Sequence, residues 1–428
     1  MRDIIITVVI MGLLPFVLRS PRLGVYVWAW VSMMIPHRAA YGFARTLPFG
    51  QMVAIATLIA FLFSRERRPF PFTSVTVTQL LFVLWMSFTS LFAMNSPDLI
   101  LEQWIVVLKI HLMLFLTMML VRGRQQIEQL IWVVVLSIGF YGVKGGVWTI
   151  MTGGGSRVWG PSGGVISGNN ELGLALVMLI PFMWFLFQTA SRRLIRWGLV
   201  FCMLTSSAAV LGTQSRGALV ALVAMAFVLI LKGKRPIALS FLLAGGIMVA
   251  TLLMPATWTD RMETIQTFEQ DTSAMSRIYT WKTLWSMVLD RPLVGAGFRT
   301  DNPVLFALYA PVDGAGVYKG GDVYVAHSVY FQALGEHGFP GLVLYLLLGL
   351  LAWRSAARIA QETVAHPEYA SWVPLLMRMT QVSLAGFAVG GAFLTLVHFD
   401  LPYYIVSFVV LADATLRERD KTVVGKEG

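Results

Sequence analysis

Apolar, almost uncharged runs of roughly 15 to 25 residues recur along nearly the whole chain, each about the length a helix needs to cross a bilayer. Inside lipid a backbone has no water to bond, so such runs must be helices whose N–H and C=O groups satisfy one another. Candidate spans lie near 4–18, 23–36, 49–64, 77–94, 103–121, 127–151, 171–190, 195–213, 217–232, 236–254, 339–354, 374–397 and 401–416. The pattern predicts an all-α polytopic membrane protein of about twelve transmembrane helices, with 1–428 forming a single integral membrane domain. Residues 4–18 have the hydrophobicity of a signal sequence, but no small-residue cleavage site follows, so they are expected to remain as the first helix.

A net charge of +11 would suggest nucleic acid in a soluble chain, whereas here the basic residues fall in short loops, where they set topology. Membrane lipids, and no nucleic acid, are the partners this implies. Arg65/Arg67/Arg68, Arg122/Arg124, Arg192/Arg193/Arg196, Lys232/Lys234/Arg235 and Arg354/Arg358 occur at alternate turns, which are assigned to the cytoplasm. The loops at 95–102 and 152–170, the turn at 213–216 and the segment 255–338 then lie outside. Arg19 and Arg22 conflict with this parity: either the N-terminus is outside or one of the first two spans is partial. The single cysteine, Cys202, lies in an apolar run, so no intramolecular disulfide braces the outer loop.

The segment 255–338 far exceeds an ordinary connection, and its composition is that of a large, mainly helical loop. From Ser273, helical spacing puts Ile278, Trp281, Trp285 and Leu289 on one stripe, expected to lie at the membrane interface or to pack on the bundle. Arg277 is placed at the head of that helix, where a cation opposes the dipole, so it is assigned to an anion rather than to the helix. Arg216, in the outer turn Thr213-Gln214-Ser215-Arg216-Gly217-Ala218, is either a snorkelling interface residue or, with the amides that open the next span, a phosphate corner. Lys144, near the outer face, heads a group of membrane-level polar residues that also contains Lys109, His111, Arg378, His398 and Asp400. Asn169-Asn170-Glu171 is read first as the N-cap of the following helix.

Some chemistries lack their motifs: there is no Asp-x-Asp pair, no HExxH and no Walker lysine. The expectation is therefore metal-free anion chemistry with no cofactor. Gly295-Ala296-Gly297 and Gly314-Ala315-Gly316 lack a strand-turn-helix setting and are weak nucleotide signals. His327-Ser328, nine residues, Gly338, two residues and Gly341 resemble the H-[N/S/Q]-x9-G-x-x-[G/T/Y] signature of the bacterial O-antigen ligases. The Ser215-Arg216-Gly217 turn resembles that of the wider ligase and polymerase superfamily. Arg277, Trp281, Pro292 and Gly295-x-Gly297 are similar to its loop pattern, and Gly168-Asn169-Asn170 to its Asn-rich turn.

The resemblance implies a GT-C-like glycosyltransferase of the bacterial inner membrane with a periplasmic active site. It would move O-antigen glycan from undecaprenyl diphosphate to lipid A-core. Diphosphate is a good leaving group, so the reaction needs cations more than a general acid; Arg216 and Arg277 are assigned to it, with Arg299, Arg291 and Lys144 behind them. His327 is assigned to deprotonate the acceptor hydroxyl, as an imidazole of ordinary pKa about 6.5 can near neutral pH. Direct displacement would invert the anomeric centre, whereas retention would require a carboxylate such as Glu336, Asp322 or Asp301. Ser328, Tyr330, Gly338 and Asn170 complete the candidates. His337 lies about 80 degrees out of phase with His327 on an ideal helix, so the pair need not face one site, and it is expected to be an interfacial residue at a helix end. Tyr330, Phe331 and Leu334 are expected to dock their helix on the bundle. The alternatives are an O-antigen polymerase, a protein O-oligosaccharyltransferase and a transporter of a lipid-linked anion.

Overall fold

The computed structural model describes residues 1–233, 272–311, 323–363 and 371–427, and among these the regular structure is helical. The expected span at 236–254, Asp322 and Gly314-Ala315-Gly316 lie outside the described residues. The helices are α1 (Arg2–Arg19), α2 (Pro21–Met34), α3 (Phe49–Phe63), α4 (Ser74–Ser90), α5 (Pro97–Leu120), α6 (Gly123–Met151) and α7 (Asn169–Thr189). They continue with α8 (Arg193–Gly212), α9 (Arg216–Lys232), α10 (Thr272–Asp290), α11 (Pro303–Tyr309), α12 (Val329–Glu362), α13 (Val373–Gly390) and α14 (Asp400–Glu427). Six of these, α5, α6, α7, α8, α12 and the helix opened by Val373, are long and apolar enough to cross a membrane; α3 and α4 are shorter apolar helices. Apolar side chains such as Leu62, Leu84 and Leu194 are exposed on the outer surface, as lipid contact requires. The chain is a polytopic helical membrane protein.

Helix ends are fixed by local chemistry. Ser215 accepts from the Ala218 amide at 3.1 Å to start α9, Ser328 accepts from Phe331 at 3.4 Å to start α12, and Thr73 and Thr76 form a reciprocal box at the start of α4. Proline at the first turn of α2, α5, α11 and α13 gives up only an amide that has no helical partner there. Asn169 is not the N-cap of α7; Gly168 is, and the Asn169 side chain instead donates to the Thr213 carbonyl at 2.9 Å, tying α7 to the α8–α9 turn.

The bundle core is centred on α14, which is buried on all sides from Leu401 to Ala414. The glycines around Lys144 have a packing role, because a Cβ on Gly146 would stand 1.9 Å from the Thr205 carbonyl of α8. Backbone-close contact of this kind is how helices associate where lipid removes the usual hydrophobic drive. A second, smaller core joins α10, α11 and the start of α12 through Leu284, Met287, Val288, Leu305, Phe306 and Leu334. Burying each such side chain contributes about 1.5–3 kcal/mol. The buried face of α10 is thus Thr280, Leu284, Met287 and Val288, whereas Trp285 and Leu289 of the expected stripe are exposed. Arg277 falls in the second turn of α10 rather than at its head, because the helix already begins at Thr272; the dipole argument for it does not hold.

Candidate functional site

The helix α12 is two pieces joined at Gly338, whose φ of 68° and ψ of −172° are not helical. The break follows from the residues around it. Pro340 has no amide to offer the Glu336 carbonyl, and the Phe339 amide is diverted to Pro292 O at 2.8 Å. The two carbonyls left over accept from outside the helix, Gly335 O from Ala296 N at 2.8 Å and Glu336 O from Gly297 N at 2.9 Å. A Cβ on Gly338 would meet Leu293 O at 2.3 Å, and one on Gly295 would meet Gly335 O at 2.5 Å. Gly295-Ala296-Gly297 is therefore a docking strip for α12, a role invisible when it is scanned for nucleotide motifs. Gly341 leaves room for the His337 Cβ, which would stand 2.3 Å from a Cβ there.

His327 is the residue before the N-cap of α12 and has left-handed backbone, φ 45°. Its amide donates to Thr395 Oγ1 at 2.8 Å, and the preceding Ala326 carbonyl accepts from Trp281 Nε1 at 2.7 Å. Burial, and then the charge of Arg277, hold the His327 imidazole below its ordinary pKa. Arg277 interacts electrostatically with Glu171 of α7 as well. Arg216 opens α9 behind Gln214, another left-handed residue at φ 52°. A Cβ on its neighbour Gly217 would lie 3.4 Å from the Phe393 Cβ, two residues before Thr395. The structure thus gathers His327, Arg277, the turn of Arg216 and the start of α7, including half-buried Asn170, around the segment 391–398.

The remaining candidates fall elsewhere or have protein partners. Arg291 donates to the Phe92 carbonyl. Arg299, at φ 61°, has its guanidinium 3.8 Å from Asp301 and its amide on Glu336 Oε1 at 3.3 Å. Burial raises the Asp301 carboxyl above its ordinary pKa. Lys144 is exposed on α6, which packs on α8, α2, α7 and α14. Tyr330 donates to Ala388 O at 2.5 Å, Phe331 stacks on Trp281 and Leu334 enters the second core, so all three dock α12.

His337 is not interfacial. It is fully buried, edge-on to Phe298 at 4.9 Å, with Nδ1 2.8 Å from Thr89 Oγ1 and its carbonyl accepting from Trp85 Nε1 at 2.9 Å. The expected interfacial position is overturned because the 295–298 strip covers that face of α12. Beside it, Glu336 is buried, with its Oε2 2.6 Å from His398 Nε2 and its Oε1 accepting from Gln332 Nε2 at 3.3 Å; Gln332 in turn accepts from Val397 N at 2.9 Å. No local signal joins Glu336 to His398, 62 residues away. Glu336, His337 and His398 carry metal-ligating atoms within 4.8 Å of one another. Ligand atoms around a zinc ion with bonds of about 2.0–2.1 Å stand roughly 3.3 Å apart. Glu336 and His398, at 2.6 Å, are instead closed on each other, as in a charge-assisted hydrogen bond.

Of the other membrane-level candidates, His111 is buried with Nδ1 3.0 Å from Val107 O, and Arg378 donates to Pro374 O at 3.3 Å. Both hydrogen bonds are local to their own helices. An apolar cavity of about 380 Å³ runs between α12, α13 and α14, lined by Tyr330, Tyr345, Trp353, Phe387 and Tyr403 among others.

Residues 201–346 match the family model for O-antigen ligase, and residues 1–191 match that of a family of unknown function. No curated protein matches the chain.

Proposed function

We propose, from the match of residues 201–346 to the O-antigen ligase family model, that the chain transfers a glycan from undecaprenyl diphosphate to lipid A-core. The observation that carries the reading is the meeting, around segment 391–398, of His327, whose imidazole burial and Arg277 hold below its ordinary pKa, with Arg277 and the turn that carries Arg216. His327 takes the proton of the acceptor hydroxyl as its oxygen attacks the anomeric carbon. The bond from that carbon to the diphosphate oxygen breaks, and the diphosphate leaves with the electron pair. Arg216 and Arg277 meet the charge that develops on it. One displacement inverts the anomeric configuration and forms no glycosyl-enzyme. Glu336 is an unsuitable nucleophile because His398, Gln332 and the Arg299 amide already bond its two oxygens.

The apolar cavity, which Val329 and Tyr330 line two and three residues from His327, supports a polyprenyl donor. The proposal carries with it a GT-C-like arrangement of about twelve spans in the bacterial inner membrane, with the site on the periplasmic side.

The test is transfer by the purified protein in detergent, from undecaprenyl diphosphate glycan to lipid A-core with chelator present, for wild type, His327→Ala and Arg216→Ala. Metal-independent transfer lost in both folded variants is expected. Transfer only to a second glycan or to a protein would keep the chemistry and change the acceptor. Transfer to none of them would leave lipid-linked anion transport as the better reading.

A further inference from the structure

We propose that a second cavity, of about 340 Å³, binds the carbohydrate end of the acceptor, so that the N-terminal half of the chain selects what is glycosylated. The inference rests on the transferase reading above. The cavity lies between the end of α2, the start of α3, the middle of α5 and the segments 165–166 and 398–400, and it has no lining residue in common with the apolar cavity.

Its walls are mainly apolar, with six polar side chains set among them: Ser32, His37, Gln51, Lys109, His398 and Asp400. Ligand cavities with few but placed polar groups are of this kind, and the chemistry here is mixed. Lys109 only donates, Asp400 only accepts when ionised and takes one bond from Ser32, and Gln51 does both. A polyhydroxyl ligand can use all three.

Two further atoms point to a ligand. His37 Nδ1 and His398 Nδ1 are buried and have no hydrogen-bond partner among the described residues. The His398 side chain is only 10% exposed, and its other nitrogen is held by Glu336. Buried polar atoms are ordinarily bonded, and sugar hydroxyls would supply the missing partners.

The position fits transfer. His398 stands three residues after Thr395, which holds the His327 amide, so the connecting chain spans at most about 11 Å. An acceptor seated in the cavity can therefore present a hydroxyl towards His327 while the donor occupies the other side of the same segment.

The experiment measures binding of lipid A-core to the full chain in detergent by calorimetry, with no donor present, and binding of undecaprenyl diphosphate separately. Lys109→Ala removes a donor, while Val165→Trp and Gln51→Trp add bulk at exposed lining positions. The expected result is an acceptor Kd raised about tenfold or more in the variants, with the undecaprenyl diphosphate Kd and the melting temperature unchanged. Unchanged acceptor binding in all three, weakened undecaprenyl diphosphate binding instead, or no acceptor binding by the wild type would overturn the proposal. A wild type that binds lipid A-core in this position-dependent way but transfers glycan to no acceptor at all would uphold the cavity and sink the transferase reading.

Discussion

Trp281 lies flat on Phe331, ring centroids 5.0 Å apart and planes within 3° of parallel, while its indole N–H reaches the Ala326 carbonyl at 2.7 Å. One side chain of α10 thus clamps both the first turn of α12 and the residue before His327. Trp281→Phe keeps the stack and loses the hydrogen bond, and Trp281→Ala loses both. The stack contributes about 0.5–1.5 kcal/mol and the hydrogen bond about 1 kcal/mol. Melting curves in detergent should order wild type, Trp281→Phe and Trp281→Ala, and transfer rate should fall in the same order. Equal rates in all three would show that the clamp does not set the position of His327.

The pH dependence of transfer follows from His327. Its neutral form is the base, and burial with Arg277 lowers its pKa, so the acidic limb of kcat/KM should lie below the ordinary imidazole value of about 6.5. Removing a neighbouring cation makes protonation easier. Arg277→Gln should therefore shift that limb to higher pH while burial keeps it from the full free value. A limb that stays in place would mean that Arg277 does not act on the titrating group.

The Glu336–His398 bond is buried and charge-assisted. Glu336→Gln weakens it, and His398→Ala leaves a buried carboxylate short of its shortest partner. Bonds to charged groups contribute about 1.5–3 kcal/mol. Melting temperature should drop more for His398→Ala than for Glu336→Gln. Metal content measured on the purified wild type should show no stoichiometric zinc, since the pair closes on itself.

Gly338→Ala places a Cβ 2.3 Å from Leu293 O at φ 68° and should abolish folded protein, read as loss of a monodisperse peak after detergent extraction. Gly349→Ala lies in the same helix with open space around it and should behave as wild type.

Much of this was legible in the chain because the signals were local. Phe331 and Leu334 as docking residues and the apolar runs of α5 to α8 all depend on spacing within a few turns. The Gly338 position was legible as part of a pattern, but its reason was not. It lies in the Pro292–Gly297 strip, more than 40 residues earlier in the sequence. His398 stood out only as a membrane-level polar residue, since its partner is fixed by how α13 turns into α14. Arg277 was placed one turn too close to a helix end because nothing local marks the start of α10 at Thr272.

The left-handed backbone of His327 sets stability against use. A β-carbon in that region costs roughly 1–2 kcal/mol relative to glycine, and here the strain is sustained by the Thr395 hydroxyl that receives its amide. The position would be more comfortable with glycine or asparagine. A His327→Gly protein should therefore survive heating as well as its parent or better while transferring nothing. Such a variant would be an inert, well-folded scaffold, suited to trapping both substrates together.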